Sequence, residues 1–195
     1  MMTATLTVSQ SLAPIHRAVS VSWNPDAAFR RFTADFATWW PRRTHSIGGP
    51  RVSAIMFEQR VGGRIYEEHD DGRRFQWGEI LAWDPPRSVR FTFHASRDPS
   101  TAQEVELRFV PEGSGTRLEL TASKWENWGR NARRARRGYE IGWGYVLNVW
   151  AGRRTAGMLL LDGLGVVLGR IELLRHGGRR GLIDSARGEI ARATR

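Results

Sequence analysis

The sequence predicts an α+β fold in which a curved antiparallel β-sheet wraps around one long C-terminal α-helix. From Val52 onward, apolar residues recur with a period of two, and glycine-containing turns such as Gly62-Gly63 and Asp70-Asp71-Gly72 separate the runs. Further along, four apolar residues recur at spacings of 4, 3 and 4, namely Tyr139, Trp143, Val146 and Trp150. A helix with this single apolar stripe has to bury it against the concave face of the sheet.

The first elements precede the period-two region. Ile15–Ser22 alternates weakly and predicts a strand. Asn24-Pro25-Asp26 then predicts a helix start, because asparagine caps well, proline suits the first helical position and an acid favours the positive N-terminal end. Trp39-Trp40-Pro41 ends this helical region, and the glycines and proline of Arg42–Pro50 predict a loop.

Six strands and one helix complete the predicted domain. The strands are expected at about residues 52–57, 64–69, 75–83, 89–94, 105–109 and 118–125. Short turns join them, which predicts an antiparallel meander. The long helix is expected from about Ala132 to Arg154. The large aromatic residues of its stripe favour a ligand cavity between the helix and the sheet.

Composition restricts the classes of function. The chain has no cysteine, so disulfides, thiolate nucleophiles and cysteine metal sites are excluded. The N-terminus lacks the basic and apolar regions of a signal peptide, and we expect a cytoplasmic protein. Nine of the ten net positive charges lie in residues 127–195. We interpret this charge as a solvated basic surface, because net charge bears on association rather than on fold.

The predicted organisation has three parts. Residues 1–14 form an N-terminal tail, residues 15–154 form the domain, and residues 155–195 form a basic, partly helical C-terminal extension. In the extension, Leu160, Leu164, Val167, Ile171 and Leu174 repeat at spacings of 4, 3, 4 and 3. Four glycines weaken this helix. We expect it to dock on the domain or on a second subunit, in which case the extension mediates a homodimer.

Several sequence motifs resemble one superfamily. They are Trp39-Trp40-Pro41, Thr44-His45-Ser46-Ile47-Gly48, residues 57–66 (FEQRVGGRIY), Trp77-Gly78-Glu79-Ile80, Trp83-Asp84-Pro85-Pro86 and residues 138–147 (GYEIGWGYVL). Together with the order of elements, they resemble the SRPBCC or START-like superfamily, in particular the bacterial homologues of the heat-shock-protein ATPase activator. The resemblance implies a helix-grip fold and a cavity that holds a hydrophobic ligand. It does not imply a fixed reaction, because relatives include lipid carriers and polyketide cyclases.

We therefore predict that the protein binds a small hydrophobic ligand between the sheet and the long helix. The candidate ligand-binding residues are Trp40, Phe57, Tyr66, Trp77, Glu79, Phe93, Tyr139, Trp143 and Leu147. Tyr66 and Tyr139 could donate hydroxyl groups to a ligand carbonyl, although ordinary half-buried tyrosines explain them equally well.

Glu79 is the strongest candidate for a residue that transfers a proton or binds a charged ligand. If the strand face that it shares with Phe75, Trp77, Leu81 and Trp83 lines the cavity, the carboxyl lies among aromatic rings and could transfer a proton or bind a cation. If the other face points inward, with Gly78, Ile80 and Ala82, then Glu79 lies on the surface. We favour the second arrangement.

Other motifs give no clear chemistry. His45 and His94 belong to no metal-spaced cluster and are expected to be structural. We expect no cofactor and no metal ion, and no catalytic motif identifies an enzyme. A cyclase or hydrolase using Glu79 and Tyr66 is one alternative. An interaction protein is another, with a basic C-terminal third that contacts an anionic partner. The arginines of residues 130–137 lack the context of a nucleic-acid-binding motif, so nucleic acid and anionic membranes are disfavoured.

Overall fold

The computed structural model describes residues 12–95 and 97–153. Within them lie seven strands and four α-helices. In chain order these are β1 (Ile15–Val21), α1 (Pro25–Thr33), α2 (Phe36–Trp39), α3 (Arg42–His45), β2 (Val52–Phe57), β3 (Arg64–His69), β4 (Arg74–Asp84), β5 (Ser88–Phe93), β6 (Gln103–Glu112), β7 (Gly115–Ser123) and α4 (Ala132–Trp150). Short 3-10 helices occupy Gly49–Arg51, Pro99–Thr101 and Trp125–Asn131.

The strands form one antiparallel sheet in the order β1-β7-β6-β5-β4-β3-β2. Strands β2 to β7 follow one another as a meander. β1 instead pairs with β7, and Ile15 stands opposite Ala122. The strands that flank helices α1 to α3 in the chain therefore lie at opposite edges of the sheet. With α4 packed against the curled sheet, the predicted helix-grip α+β fold is confirmed.

Helix α1 begins where the sequence predicts. The side chain of Asn24 accepts a hydrogen bond from the backbone nitrogen of Ala27 at 2.9 Å, and Pro25 takes the first helical position. The buried face of the helix carries Phe29, whose ring lies 5.1 Å from that of Phe109 and 5.0 Å from that of Trp83. These contacts close one end of the core.

Helix α4 buries the predicted stripe. Trp143, Val146 and Trp150 are buried, whereas the ring of Tyr139 is partly exposed. The helix ends at Trp150, slightly earlier than predicted, and Gly152 follows with φ of +74°. This left-handed conformation is common directly after a helix and favours glycine.

Strand β4 departs from simple alternation at two places. Trp77 is skipped in the pairing with β3, and Leu81 is skipped in the pairing with β5. Each extra residue is a β-bulge that moves the following side chains to the other face. As a result Trp77, Ile80 and Trp83, which are three residues apart, all pack into the core.

Some predictions fall outside the described residues. The C-terminal extension (residues 155–195), the homodimer contact expected there and residues 1–11 of the N-terminal tail are among them. In the ranges 12–95 and 97–153, no helix has the length and apolar character needed to cross a membrane.

Candidate functional site

Five aromatic residues meet between the sheet and α4, and we call them the Phe93 cluster: Trp40, Trp77, Phe93, Tyr139 and Trp143. The ring of Phe93 lies 5.2 Å from Trp143, 6.1 Å from Trp77 and 6.3 Å from Trp40 and Tyr139. Trp40 and Trp77 are themselves 5.2 Å apart. Except for Tyr139, each member is no more than 6% exposed. The rings of the cluster therefore pack against one another and are largely shielded from solvent.

Two buried polar side chains adjoin the rings. The indole nitrogen of Trp143 donates to Oε1 of Gln103 at 3.1 Å. Because an indole N–H only donates, this bond fixes the orientation of the amide and leaves its NH₂ group on the other side. Among the described residues, the indole nitrogen of Trp77 makes no hydrogen bond, and Nε2 of Gln103 makes no well-formed one, although the Gln103 side chain lies close enough to the Tyr139 hydroxyl to act on its pKa. Buried donors without partners are costly, and such groups call for a ligand, a water molecule or a functional reason.

Two titratable groups lie at the same end of the core. Burial raises the pKa of the Tyr139 hydroxyl, against smaller opposing effects of Arg97 and Gln103. Tyr139 as a whole residue is partly exposed, whereas its hydroxyl group lies in a buried environment. Burial lowers the pKa of His94, and Nδ1 of this ring has no partner within the described part of the chain. Both groups are thus held in their neutral forms near neutral pH.

The structure brings together five of the nine predicted ligand-binding residues. The Phe93 cluster consists of them. Phe57 and Leu147 are also buried in the core. Phe57 packs with Phe36 at 5.3 Å and Phe91 at 5.9 Å, beside the cluster rather than within it.

Glu79 and Tyr66 lie elsewhere, which corrects both as candidates for this site. Glu79 is exposed, so its side chain points to solvent, because the bulge at Trp77 brings Ile80 inward. Tyr66 lies on the face of β3 opposite Ile65. It is buried there beneath the guanidinium groups of Arg64 and Arg74, at 5.5 and 5.4 Å. Neither side chain contributes to the aromatic cluster, and the alternative favoured for Glu79 is the one observed.

Sequence reasoning missed a buried polar pair on β3. Glu67 and His69 have side chains that are 0% and 1% exposed, and Oε1 of Glu67 lies 2.6 Å from Nε2 of His69. The same carboxyl group accepts the backbone N–H groups of Ile47 at 3.1 Å and Gly48 at 2.7 Å. Alternation with Ile65 places both residues on the inner face. That signal was present in the sequence, but the polar residues of the outer face obscured it.

The two histidines expected to be structural are both packed against other groups. His45 stacks on Tyr145 of α4, with ring centroids 4.8 Å apart and planes 8° apart. His94 is buried at the end of β5. Over residues 12–95 and 97–153, no three histidine, aspartate or glutamate side chains group as a metal site requires.

A surface pocket lies away from these residues, where β1 ends and α4 ends. Its volume is about 300 Å³, and its walls are Ser20, Val21, Ser22, Trp23, Ala151 and Arg153. None of the nine predicted ligand-binding residues lines it.

The chain matches one known protein family over most of its described residues. The sequence profile of the family described as activator of Hsp90 ATPase homolog 1-like protein matches residues 23–149. The chain belongs to this family. The match includes all strands except β1 and all but the last residue of α4. It therefore covers every residue of the Phe93 cluster and the Glu67–His69 pair.

Solved structures of family relatives and similar folds agree with this assignment. An anthrahydroquino-gamma-pyrone synthase, Txn09, is 31% identical, with 74% of this chain and 98% of that chain covered and a TM-score of 0.53. The self-sacrificing resistance protein CalC from Micromonospora echinospora is 26% identical, with 72% and 93% covered and a TM-score of 0.55. CalU16 from the same organism is 20% identical, with 80% and 84% covered and a TM-score of 0.52, a likeness of fold alone.

No curated protein is a significant match to the chain.

Proposed function

We propose that this member of the activator-homologue family binds a small hydrophobic ligand in the Phe93 cluster, and that the ligand is a flat aromatic compound carrying oxygen atoms. The rings of the cluster contact one another, so the ligand would have to separate them to lie between α4 and the sheet with its faces against the rings. Aromatic side chains favour a flat apolar ligand because stacked and edge-to-face contacts add to the benefit of burying apolar area.

The observation that carries this proposal is the pair of buried N–H donors beside the rings. Nε1 of Trp77 lacks a partner within the described residues, Nε2 of Gln103 has only the nearby Tyr139 hydroxyl and makes no well-formed hydrogen bond there, and both nitrogens are fully buried. An oxygen on a ligand would supply the missing acceptor. The neutral hydroxyl of Tyr139 adds a third group that can donate at the same end.

A relative supports this choice of chemistry. Txn09, at 31% identity over nearly its whole length, is named as a synthase of an anthrahydroquino-gamma-pyrone, a fused-ring aromatic compound rich in oxygen. A site of the same family that holds such a compound would need aromatic walls and hydrogen-bond donors. The Phe93 cluster provides both.

The same relative gives reason to keep an enzyme as a second candidate. The cyclase or hydrolase alternative named Glu79 and Tyr66 as its reactive groups, and both point away from the cluster. At the cluster itself, Tyr139 and His94 remain as polar groups near the rings. The raised pKa of Tyr139 suits it to donate a hydrogen bond to a developing oxyanion rather than to act as a base.

Titration with 1,8-dihydroxyanthraquinone, followed by quenching of tryptophan fluorescence, tests the binding function. We expect saturable binding, and we expect Trp143→Phe to weaken it by about tenfold, which corresponds to about 1.4 kcal/mol. Trp150→Phe is the matched control, because Trp150 lies on the same helix and is equally buried but packs against Trp23 and Phe32. Its affinity should stay within about twofold of the wild type.

Anthracene as a second probe tests the role of the donors. It has the same three-ring shape but no oxygen, so we expect weaker binding than for the anthraquinone and no sensitivity to Gln103→Leu. Absence of binding for both probes, or equal effects of Trp143→Phe and Trp150→Phe, would contradict a site in the Phe93 cluster. Conversion of the anthraquinone-type ligand during incubation would favour the enzyme.

A further inference from the structure

The segment from Trp40 to Gly48 forms one wall of the Phe93 cluster and differs from the other walls in how it is held. Helix α3 within it buries none of its four residues. Trp40 is the large side chain that the segment buries fully, Ile47 packs partly buried against the core, and Pro41 and Gly48 are buried beside them. Segments with few buried apolar contacts open at a lower free energy than the core around them.

Hydrogen bonds hold this segment to the sheet, and an aromatic stack holds it to α4. On the sheet side, Glu67 accepts the backbone N–H groups of Ile47 and Gly48. On the helix side, the ring of His45 stacks on Tyr145 of α4. Between these points, the indole nitrogen of Trp40 donates to the backbone oxygen of His45 at 2.9 Å, so the wall residue moves with the segment.

Where the segment meets the sheet, the backbone of Gly48 packs closely against the side chains of Glu67 and His69. His69 lies 2.6 Å from Glu67, and its ring packs on Phe75 at 4.3 Å. A Cβ atom on residue 48 would stand 2.3 Å from Nε2 of His69, so only glycine fits at this position. The Glu67 carboxyl group thus accepts two backbone N–H groups and contacts Nε2 of His69 in a space shielded from solvent, and the loop closes directly over it.

We propose that Trp40–Gly48 is the gate through which a ligand reaches the Phe93 cluster, and that Glu67 and His69 are the latch that holds the gate closed. This inference rests on the proposed function, because it concerns access to the same site. On its other sides the cluster is covered by β4 and β5, which the sheet ladder joins, by α4, and by the 3-10 helix Trp125–Asn131, whose Trp125 and Trp128 pack on Tyr139. The gate can move without breaking the sheet.

Two variants act on the gate in opposite directions. In Glu67→Gln the side chain keeps its shape but has one acceptor oxygen, so an NH₂ group meets a backbone N–H and the latch is weakened. In the double variant His45→Cys with Tyr145→Cys, a short cleavable thiol-to-thiol reagent ties the gate to α4. The natural chain has no cysteine, so this pair is the sole target of the reagent.

Stopped-flow binding of 1,8-dihydroxyanthraquinone measures the effect on access. We expect Glu67→Gln to raise both association and dissociation rates about tenfold while the equilibrium affinity stays within about threefold. The cross-linked double variant should bind at least about tenfold more slowly than the same protein after the linker is cleaved. His45→Cys treated with a one-ended thiol reagent controls for the modification itself. Unchanged association and dissociation rates in both variants would overturn the proposal that this segment is a gate.

Hydrogen exchange tests the latch without any ligand. We expect the amides of Ile47 and Gly48 to exchange faster in Glu67→Gln, while the amides of β5 and β6 keep the rates of the wild type. Equal exchange in both proteins would overturn the latch, and faster exchange throughout would show a general loss of stability instead and would equally reject it. If the wild type binds no probe, the proposed function fails on that result, and the exchange data still decide whether Glu67 holds the segment.

Discussion

The indole nitrogen of Trp143 donates a hydrogen bond to Oε1 of Gln103 over 3.1 Å, inside the core. This bond joins α4 to β6, and both partners are at most 3% exposed. Within the core it fixes the long helix to the sheet, and a second polar contact, the Arg17–Glu140 ion pair at 3.0 Å, joins α4 to β1. The Trp143–Gln103 bond also determines which atom of the Gln103 amide faces the remainder of the Phe93 cluster.

Replacing this acceptor should destabilise the protein. Gln103→Leu leaves the N–H of Trp143 buried without a partner, which costs about 1–3 kcal/mol in the free energy of unfolding. Urea denaturation measures it. In a Trp143→Phe background the same change should cost about 1 kcal/mol less, because the orphaned donor is already gone. Strict additivity of the two substitutions would argue against the bond.

Substitution by alanine should change the free energy of unfolding in opposite directions at two glycines, Gly78 in β4 and Gly138 in α4. At Gly78 a Cβ atom would lie 1.7 Å from the backbone oxygen of Thr92, so β4 and β5 would have to separate. We expect Gly78→Ala to lower the free energy of unfolding by about 3 kcal/mol or more. At Gly138, on the exposed side of α4, nothing lies within 4 Å of such an atom. Gly138→Ala should stabilise by about 0.5–1 kcal/mol. Thermal unfolding of the two variants measures both changes in stability.

His94 should make stability depend on pH in the mildly acidic range. Burial lowers its pKa below the ordinary value of 6.5, so between 6.5 and the lowered value the unfolded chain binds a proton that the folded protein does not. Stability therefore falls as the pH drops below about 6.5. Urea unfolding between pH 8 and 5 measures the slope. His94→Gln should flatten it, and a slope that survives this substitution would contradict the assignment to His94.

Tyr139 should titrate later than an ordinary tyrosine. Burial raises its pKa above 10.0, so the folded protein keeps a proton that the unfolded chain loses, and stability falls as the pH rises above about 10. The chain has three tyrosines, so ultraviolet difference spectra resolve the delayed fraction. We expect Tyr139→Phe to remove that fraction. A late transition that persists in this variant would contradict the assignment to Tyr139.

Regular periodicity made most of the fold predictable from sequence. The spacing of the stripe on α4 and the turns between strands identified the elements, and five residues of the cluster followed from large aromatic side chains on those elements. The face of Glu79 could not be derived from alternation alone, because β4 contains two bulges and each moves the side chains that follow it to the other face. A bulge depends on how neighbouring strands pair, and this information is not carried by the alternation of a single strand.

The missed pair illustrates a second limit. Ile65, Glu67 and His69 alternate correctly for an inner face, but burial of a glutamate is unfavourable unless specific donors are present. Two of those donors are backbone groups of Ile47 and Gly48, about twenty residues earlier in the chain. No side-chain pattern identifies a backbone donor, so the role of Glu67 became visible only in three dimensions.

The pairing of β1 with β7 has a consequence for how the chain reaches its folded state. His16 and Thr121, which contact each other across these strands, are 105 positions apart, whereas consecutive strands from β2 to β7 are joined by connections of at most nine residues. On a ribosome, the hairpins can therefore form as they emerge, but β1 has to wait with an unpaired edge until β7 has been synthesised. We expect the slowest step of folding to be the capture of this first strand. Truncation before residue 115 should leave it exposed to aggregation.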